Sequence, residues 1–84
     1  MNEQTIQMTV VNHPTAFLRI LGVFSRRGIQ IDSISITKAN EADLSNVSMT
    51  VQCDAGMIDN LIKQIGKQLD VIHIFKTPDN GFPS

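Results

Sequence analysis

Alternation opens the chain. From Gln4 to Val11, the residues Ile6, Met8 and Val10 fall on one side and Thr5, Gln7 and Thr9 on the other. This period of two predicts a half-buried strand. Asn12-His13-Pro14 breaks it, because the residue before a proline avoids the helical region and proline suits the first helical position. The period then lengthens. Phe17, Ile20, Leu21 and Phe24 follow i, i+3, i+4, i+7 spacing, and with Ala16 and Val23 they form an apolar arc of roughly 160°. Arg19, Gly22 and Arg26 group opposite. Leu18 falls just outside the arc, as plain surface or as part of a partner contact. Gly28 predicts the helix stop, with Arg26 and Arg27 near the negative helix end.

Ile29 to Thr37 predicts a second strand whose phase slips. Ile29 and Ile31 share one phase and Ile34 and Ile36 the other, so either a bulge lies near Asp32-Ser33 or both faces are covered. Lys38 to Asp43 is a polar connection. In the third strand, Val47, Met49, Val51 and Cys53 alternate with Ser48, Thr50 and Gln52. Asp54-Ala55-Gly56 reads as a turn. Met57 to Leu69 predicts a second helix with Met57, Ile58, Leu61, Ile62 and Ile65 in one arc. Val71 to Phe75 completes the set as a short apolar strand, with His73 on the face opposite Val71. The order β-α-β-β-α-β, with right-handed crossovers, predicts an α+β fold. This is a ferredoxin-like sandwich: a four-stranded antiparallel sheet with both helices on one face and polar side chains on the other. Residues 1–77 form the domain, and 78–84, with two prolines and a glycine, are expected to be a flexible tail.

Composition narrows the chemistry. Apolar residues make up 42% of the 84, the range of a globular chain. No apolar run approaches the roughly 20 residues of a membrane span, and the polar start does not resemble a signal peptide. The lone Cys53 cannot form an internal disulfide, which suggests a reducing, cytoplasmic setting. A formal net charge of −1 disfavours nucleic acid, and the chain has no Tyr or Trp for base stacking. The turn His13-Pro14-Thr15 has neither the paired thiols of a copper chaperone nor the arginine of an acylphosphatase loop. His13 is an exposed turn residue or a ligand-lining one. His13 and His73 give no metal-ligand spacing. No nucleophile–base pair is suggested, so no enzymatic activity and no bound cofactor are expected. A proline-opened helix does leave backbone N–H groups pointing outward, a ready site for a small carboxylate at Thr15 to Phe17.

The stretch from Asn12 to Ser33 resembles the ACT domain of the acetolactate synthase (acetohydroxyacid synthase) small, regulatory subunit. The family pattern is an Asn, a short turn, and a helix ending L-F-S-x-R-G followed by Y-N-I-x-S. Here it reads Asn12, Val23-Phe24-Ser25-Arg26-Arg27-Gly28 and Ile29-Gln30-Ile31-Asp32-Ser33. Leu44-Ser45 and Ile65-Gly66-Lys67-Gln68-Leu69-Asp70-Val71 continue the likeness, which covers about residues 4 to 76. The resemblance implies an ACT regulatory domain over residues 1–77 that forms a side-by-side homodimer. Such a domain binds a branched-chain amino acid, usually valine, at the dimer interface and activates a separate large catalytic subunit. Thiamine diphosphate, Mg and FAD would belong to that catalytic subunit. Carried over, the effector site comprises Asn12, His13, Thr15, Ala16, Gln30 and Ile31, with Gln30 from a neighbouring protomer facing the ammonium. The dimer interface comprises Leu18, Gly22, Ile34 and Ile36, where Gly22 would let a partner backbone approach closely. Thr15 replaces the family's glycine and Gln30 its asparagine, so a weak response to valine, or a different effector, is expected. Many family members carry a second domain of similar size, so a chain ending at Ser84 suits the single-domain type or a trimmed piece. A free-standing amino acid sensor for another enzyme and a purely structural dimerisation module are the alternatives.

Overall fold

The computed structural model describes residues 2–77. The tail expected at 78–84 lies outside the described residues. The elements run β1 (Asn2–Val11), α1 (Pro14–Arg26), β2 (Gln30–Lys38), β3 (Leu44–Cys53), α2 (Ala55–Gly66) and β4 (Val71–Thr77). The sheet order is β2-β3-β1-β4, with every neighbouring pair antiparallel. This is the ferredoxin-like sandwich that the hydrophobic pattern predicts.

Residues opposite each other across a ladder share a sheet face. Ile6, Met8 and Val10 of β1 and Val47, Met49, Val51 and Cys53 of β3 are buried beneath the helices. They meet Ala16, Ile20, Val23 and Phe24 from α1 and Ile58, Leu61 and Ile65 from α2 in one core. On the outer face Thr5, Gln7 and Thr9 stand opposite Thr50, Ser48 and Asn46. Side-chain hydrogen bonds of 3.5, 3.2 and 3.3 Å join these pairs. Ser33, Ser35 and Thr37 extend the rows across β2, and Thr77, Phe75 and His73 extend them across β4.

Both edge strands carry a one-residue irregularity. On β2, Ile31 faces Val51 and Ser33 faces Thr50, so Asp32 is the extra residue. The bulge restores the phase: Ile31, Ile34 and Ile36 all lie on the helix side, opposite Val51, Met49 and Val47. On β4, Val71 faces Val10 and His73 faces Thr9, leaving Ile72 extra. That bulge puts His73 on the outer face, opposite to Val71, as expected from the sequence.

Helix ends follow local chemistry. Gly28 has φ 66° and closes α1 with paired bonds, Gly28 N–H to Ser25 O at 3.0 Å and Ile29 N–H to Phe24 O at 3.1 Å. This is the two-bond Schellman arrangement, in which glycine adopts the left-handed conformation without a Cβ clash. α2 is displaced from its expected span of Met57–Leu69. Asp54 is extended (φ −77°, ψ 154°) and serves as N-cap, so Ala55 and Gly56 are helical rather than a turn. The apolar stripe ends at Ile65. Lys67 to Asp70 then tighten into turns closed by Gln68 N–H to Ile65 O (3.0 Å) and Val71 N–H to Gln68 O (3.1 Å).

Gly28→Ala is expected to destabilise the fold by roughly 1–2 kcal/mol, the cost of a left-handed non-glycine residue. Gly56→Ala meets open space and should stabilise α2 by about 0.5 kcal/mol. Urea unfolding of the two variants, with midpoints moving in opposite directions, checks the pair.

Candidate functional site

The turn between β1 and α1 is built around His13. Its extended backbone (φ −144°, ψ 135°) makes it the N-cap of α1, and Pro14 follows at the first helical position. The His13 imidazole Nδ1 accepts the Thr15 N–H at 3.2 Å. The His13 carbonyl accepts the Ala16 and Phe17 N–H groups at 3.0 and 3.4 Å. The donors expected to receive a carboxylate, Thr15 to Phe17, are therefore already satisfied within the chain, which corrects the picture of an open helix start. An anion reaches the Thr15 N–H only after the exposed imidazole swings aside.

Beside this turn, Val11, His13, Thr15, Arg19 and Asp70 line a cleft of about 320 Å³. Arg19 lies one helical turn beyond Thr15, and its Nη1 donates to Asp70 Oδ2 at 2.9 Å. Asp70 also accepts the Val11 N–H through its backbone carbonyl at 2.8 Å. This fixes the start of β4 against the end of β1. The Arg19 side chain is 59% exposed, so the pair adds little to stability while keeping a guanidinium at the mouth of the cleft. Asn12 is exposed and its N–H is bound to Asp43 O at 2.7 Å. Ala16 is fully buried. Its backbone, not its side chain, is what it presents to the turn.

Sequence reading missed Arg19 and Asp70 as site residues. Arg19 was legible as the i+4 neighbour of Thr15. Asp70 is 51 residues away from Arg19, and no spacing rule links them.

Gln30 and Ile31 are not brought to this cleft. They pair with Gln52 and Val51, whereas Asn12 sits beside Asp43 at the far end of β3. The eight steps along the strand from Leu44 to Gln52 span roughly 27 Å. At the Gln30 end, Gln30 Nε2 and Gln52 Nε2 donate to the two Asp32 carboxylate oxygens at 2.8 and 2.6 Å. These bonds, that from Gln52 foremost, hold the Asp32 carboxyl below the usual carboxylate value. With its amide donor so engaged, Gln30 has Oε1 left as an acceptor.

The expected dimer residues fall on the β2 border and on the outer surface of α1. Leu18, Ile34 and Ile36 are 68%, 43% and 47% exposed, and β2 is an open sheet edge. At about 100° per residue Leu18 points away from the buried Ala16, Ile20, Val23 and Phe24, on the outward side of α1. Gly22 lies near the outward crest of that helix. Among the described residues, no group of three or more His, Cys, Asp or Glu side chains is placed to hold a metal ion.

Fold and site define an ACT-type regulatory domain. The family model for the acetohydroxyacid synthase small subunit-like ACT domain matches residues 6–73. A probable acetolactate synthase small subunit of Archaeoglobus fulgidus is 32% identical over 79 residues, covering 94% of this chain and 50% of that protein. The acetolactate synthase small subunit of Bacillus subtilis is 32% identical over 73 residues, covering 86% and 42%. The crystal structure of the small subunit from Thermotoga maritima superposes with a TM-score of 0.85 at 26% identity, covering 96% of this chain and 50% of that one. The chain belongs to the family of acetolactate synthase small-subunit ACT domains, and it spans about half the length of the curated relatives it matches.

Replacing His13 with Ala removes the Thr15 acceptor and should destabilise the fold by about 1 kcal/mol, while His13→Asp restores a cap; thermal unfolding distinguishes them. Gln52→Ala should raise the Asp32 titration midpoint towards the ordinary value, followed by NMR of its carboxyl carbon. The folded value lies below the unfolded one. The associated stabilisation is thus present above the ordinary carboxylate range and is lost as pH falls through the depressed value.

Proposed function

We propose that this chain is a non-catalytic regulatory subunit of acetolactate synthase. It activates the thiamine-diphosphate-dependent catalytic subunit in branched-chain amino acid biosynthesis in the cytoplasm. The observation that carries this reading is the match of residues 6–73 to the small-subunit ACT family. The chain works as a homodimer joined at β2 and α1, with a small amino acid effector held between protomers.

The layout supports that arrangement. β2 offers unpaired backbone groups along an edge and exposed isoleucines beside it, a surface suited to strand addition. Two β2 strands paired antiparallel about a twofold axis would carry Gln30 and Ile31 of the partner subunit towards Asn12 and Thr15. This resolves the separation of the two residue sets within one protomer. The effector carboxylate then meets Arg19 and, with His13 displaced, the Thr15 N–H. Gln30 of the partner subunit offers Oε1 to the ammonium. Thr15, β-branched and lacking the freedom of glycine, crowds the carboxylate end.

Adding the chain to its cognate catalytic subunit should raise the rate of acetolactate formation several-fold; an unchanged rate overturns the regulatory reading. Calorimetry should find valine binding weaker than roughly 1 mM, about −4 kcal/mol, and tight binding would overturn the proposed role of Thr15. Ile36→Arg should convert the dimer to a monomer in sedimentation, with the far-UV spectrum retained.

A further inference from the structure

We infer that Asp70 receives the ammonium group of the effector, so that Arg19 and Asp70 together select a free, zwitterionic amino acid over a plain carboxylate or amine. This deepens the effector reading of the cleft given above and rests on it. The two residues put one charge of each sign on the wall of a single cleft of about 320 Å³, which Val11, His13 and Thr15 also line. That volume lies at the small end of ligand pockets. Both charges come from the same chain, so the selection does not depend on how copies of it pair.

As a structural pin the pair is poorly built. Its single bond runs from Arg19 Nη1 to Asp70 Oδ2 at 2.9 Å, with side chains 59% and 29% exposed. Exposed pairs of this kind contribute little to stability. The backbone does the pinning instead: Val11 N–H donates to the Asp70 carbonyl at 2.8 Å, and Val71 N–H to the Gln68 carbonyl at 3.1 Å. Those bonds hold Asp70 at the head of β4 without help from its carboxylate. Binding capacity is left over on both side chains. A guanidinium has five N–H donors and a carboxylate two oxygens. Among the described residues, neither side chain makes a hydrogen bond other than the one that joins them.

Charge then decides what fits. A carboxylate docked on the spare donors of Arg19 lies next to Asp70, and like charges set side by side oppose binding. An amine on the spare oxygen of Asp70 meets the same opposition from Arg19. An α-amino acid carries both groups on one carbon. Its carboxylate faces Arg19 while its ammonium faces Asp70, and each repulsion is offset by an attraction. The ammonium has three donors, so a bond to Asp70 leaves others for Gln30 of the partner subunit. Asp70 supplies the formal negative charge that an amide lacks.

The test titrates the full chain with alanine, valine, leucine and isoleucine, following the backbone amides of Val11, Thr15 and Asp70 by NMR. The amino acid that binds most tightly is then compared with its two single-charge analogues, which for valine are isovalerate and isobutylamine. Each analogue is expected to bind about tenfold more weakly, or worse. Asp70→Asn, which keeps the shape, should lower affinity for the amino acid by about tenfold while leaving that for the carboxylate analogue unchanged or raised; Asp70→Glu should recover part of the loss. A pair that only braces the fold would weaken all probes alike in Asp70→Asn, and that result overturns the inference. Wild-type affinity of Asp70→Asn for the amino acid also overturns it. So does equal affinity of the wild-type chain for the amino acid and its carboxylate analogue, a comparison that needs no variant to fold; both results leave the effector reading standing. If none of the four amino acids perturbs the amides, the effector reading falls and this inference with it.

Discussion

Ten consecutive residue pairs tie β1 to β3 at the middle of the sheet. That ladder divides the molecule into two unlike surfaces. Ile6 with Met49 and Met8 with Val47 are sealed under the helices, while on the other face Thr5 with Thr50, Gln7 with Ser48 and Thr9 with Asn46 are bonded to each other. The helices have no other place to put Phe24, Ile58, Leu61 and Ile65, all fully buried. Burial of such side chains contributes about 1.5–3 kcal/mol each relative to exposure. A domain of this size has few of them to spare. The ends of the same ladder position the functional parts: Val11 leads into the His13 turn, and Gln52 reaches Asp32.

The candidate cleft shows how tightly backbone chemistry constrains such a site. His13 serves three roles at once. It breaks β1, caps α1 through its ring, and closes the first turn through its carbonyl. A ligand that takes the Thr15 N–H must compete with an imidazole already in place. The guanidinium of Arg19 needs no such displacement, since its one partner, Asp70, leaves it largely in solvent.

Much of this fold was legible because its elements obey simple periods. The slip between Ile31 and Ile34 allowed a bulge near Asp32-Ser33 or a strand covered on both faces, and the structure has the bulge at Asp32. Leu18 stood outside the helical arc and is exposed. What failed was composition used in place of geometry. Asp54-Ala55-Gly56 looks like a turn by residue type, yet an extended Asp54 starts a helix and carries the next two residues with it. The cleft was half legible: His13 and Thr15 follow from the proline turn. The state of the helix-start donors depends on one histidine rotamer, and the Arg19–Asp70 pair depends on how two distant segments pack. Neither leaves a trace in local sequence.

The extra residues Asp32 and Ile72 lie on the two strands that border solvent. Removing both would leave every inward and outward side chain on its present face, since the flanking residues would then alternate regularly. What would change is the shape of the two borders. Bulges bend and twist a strand locally, and straight, unbulged borders are the template from which chains add without limit. Each border of the sheet therefore carries one local bend, and neither presents a straight edge along its whole length.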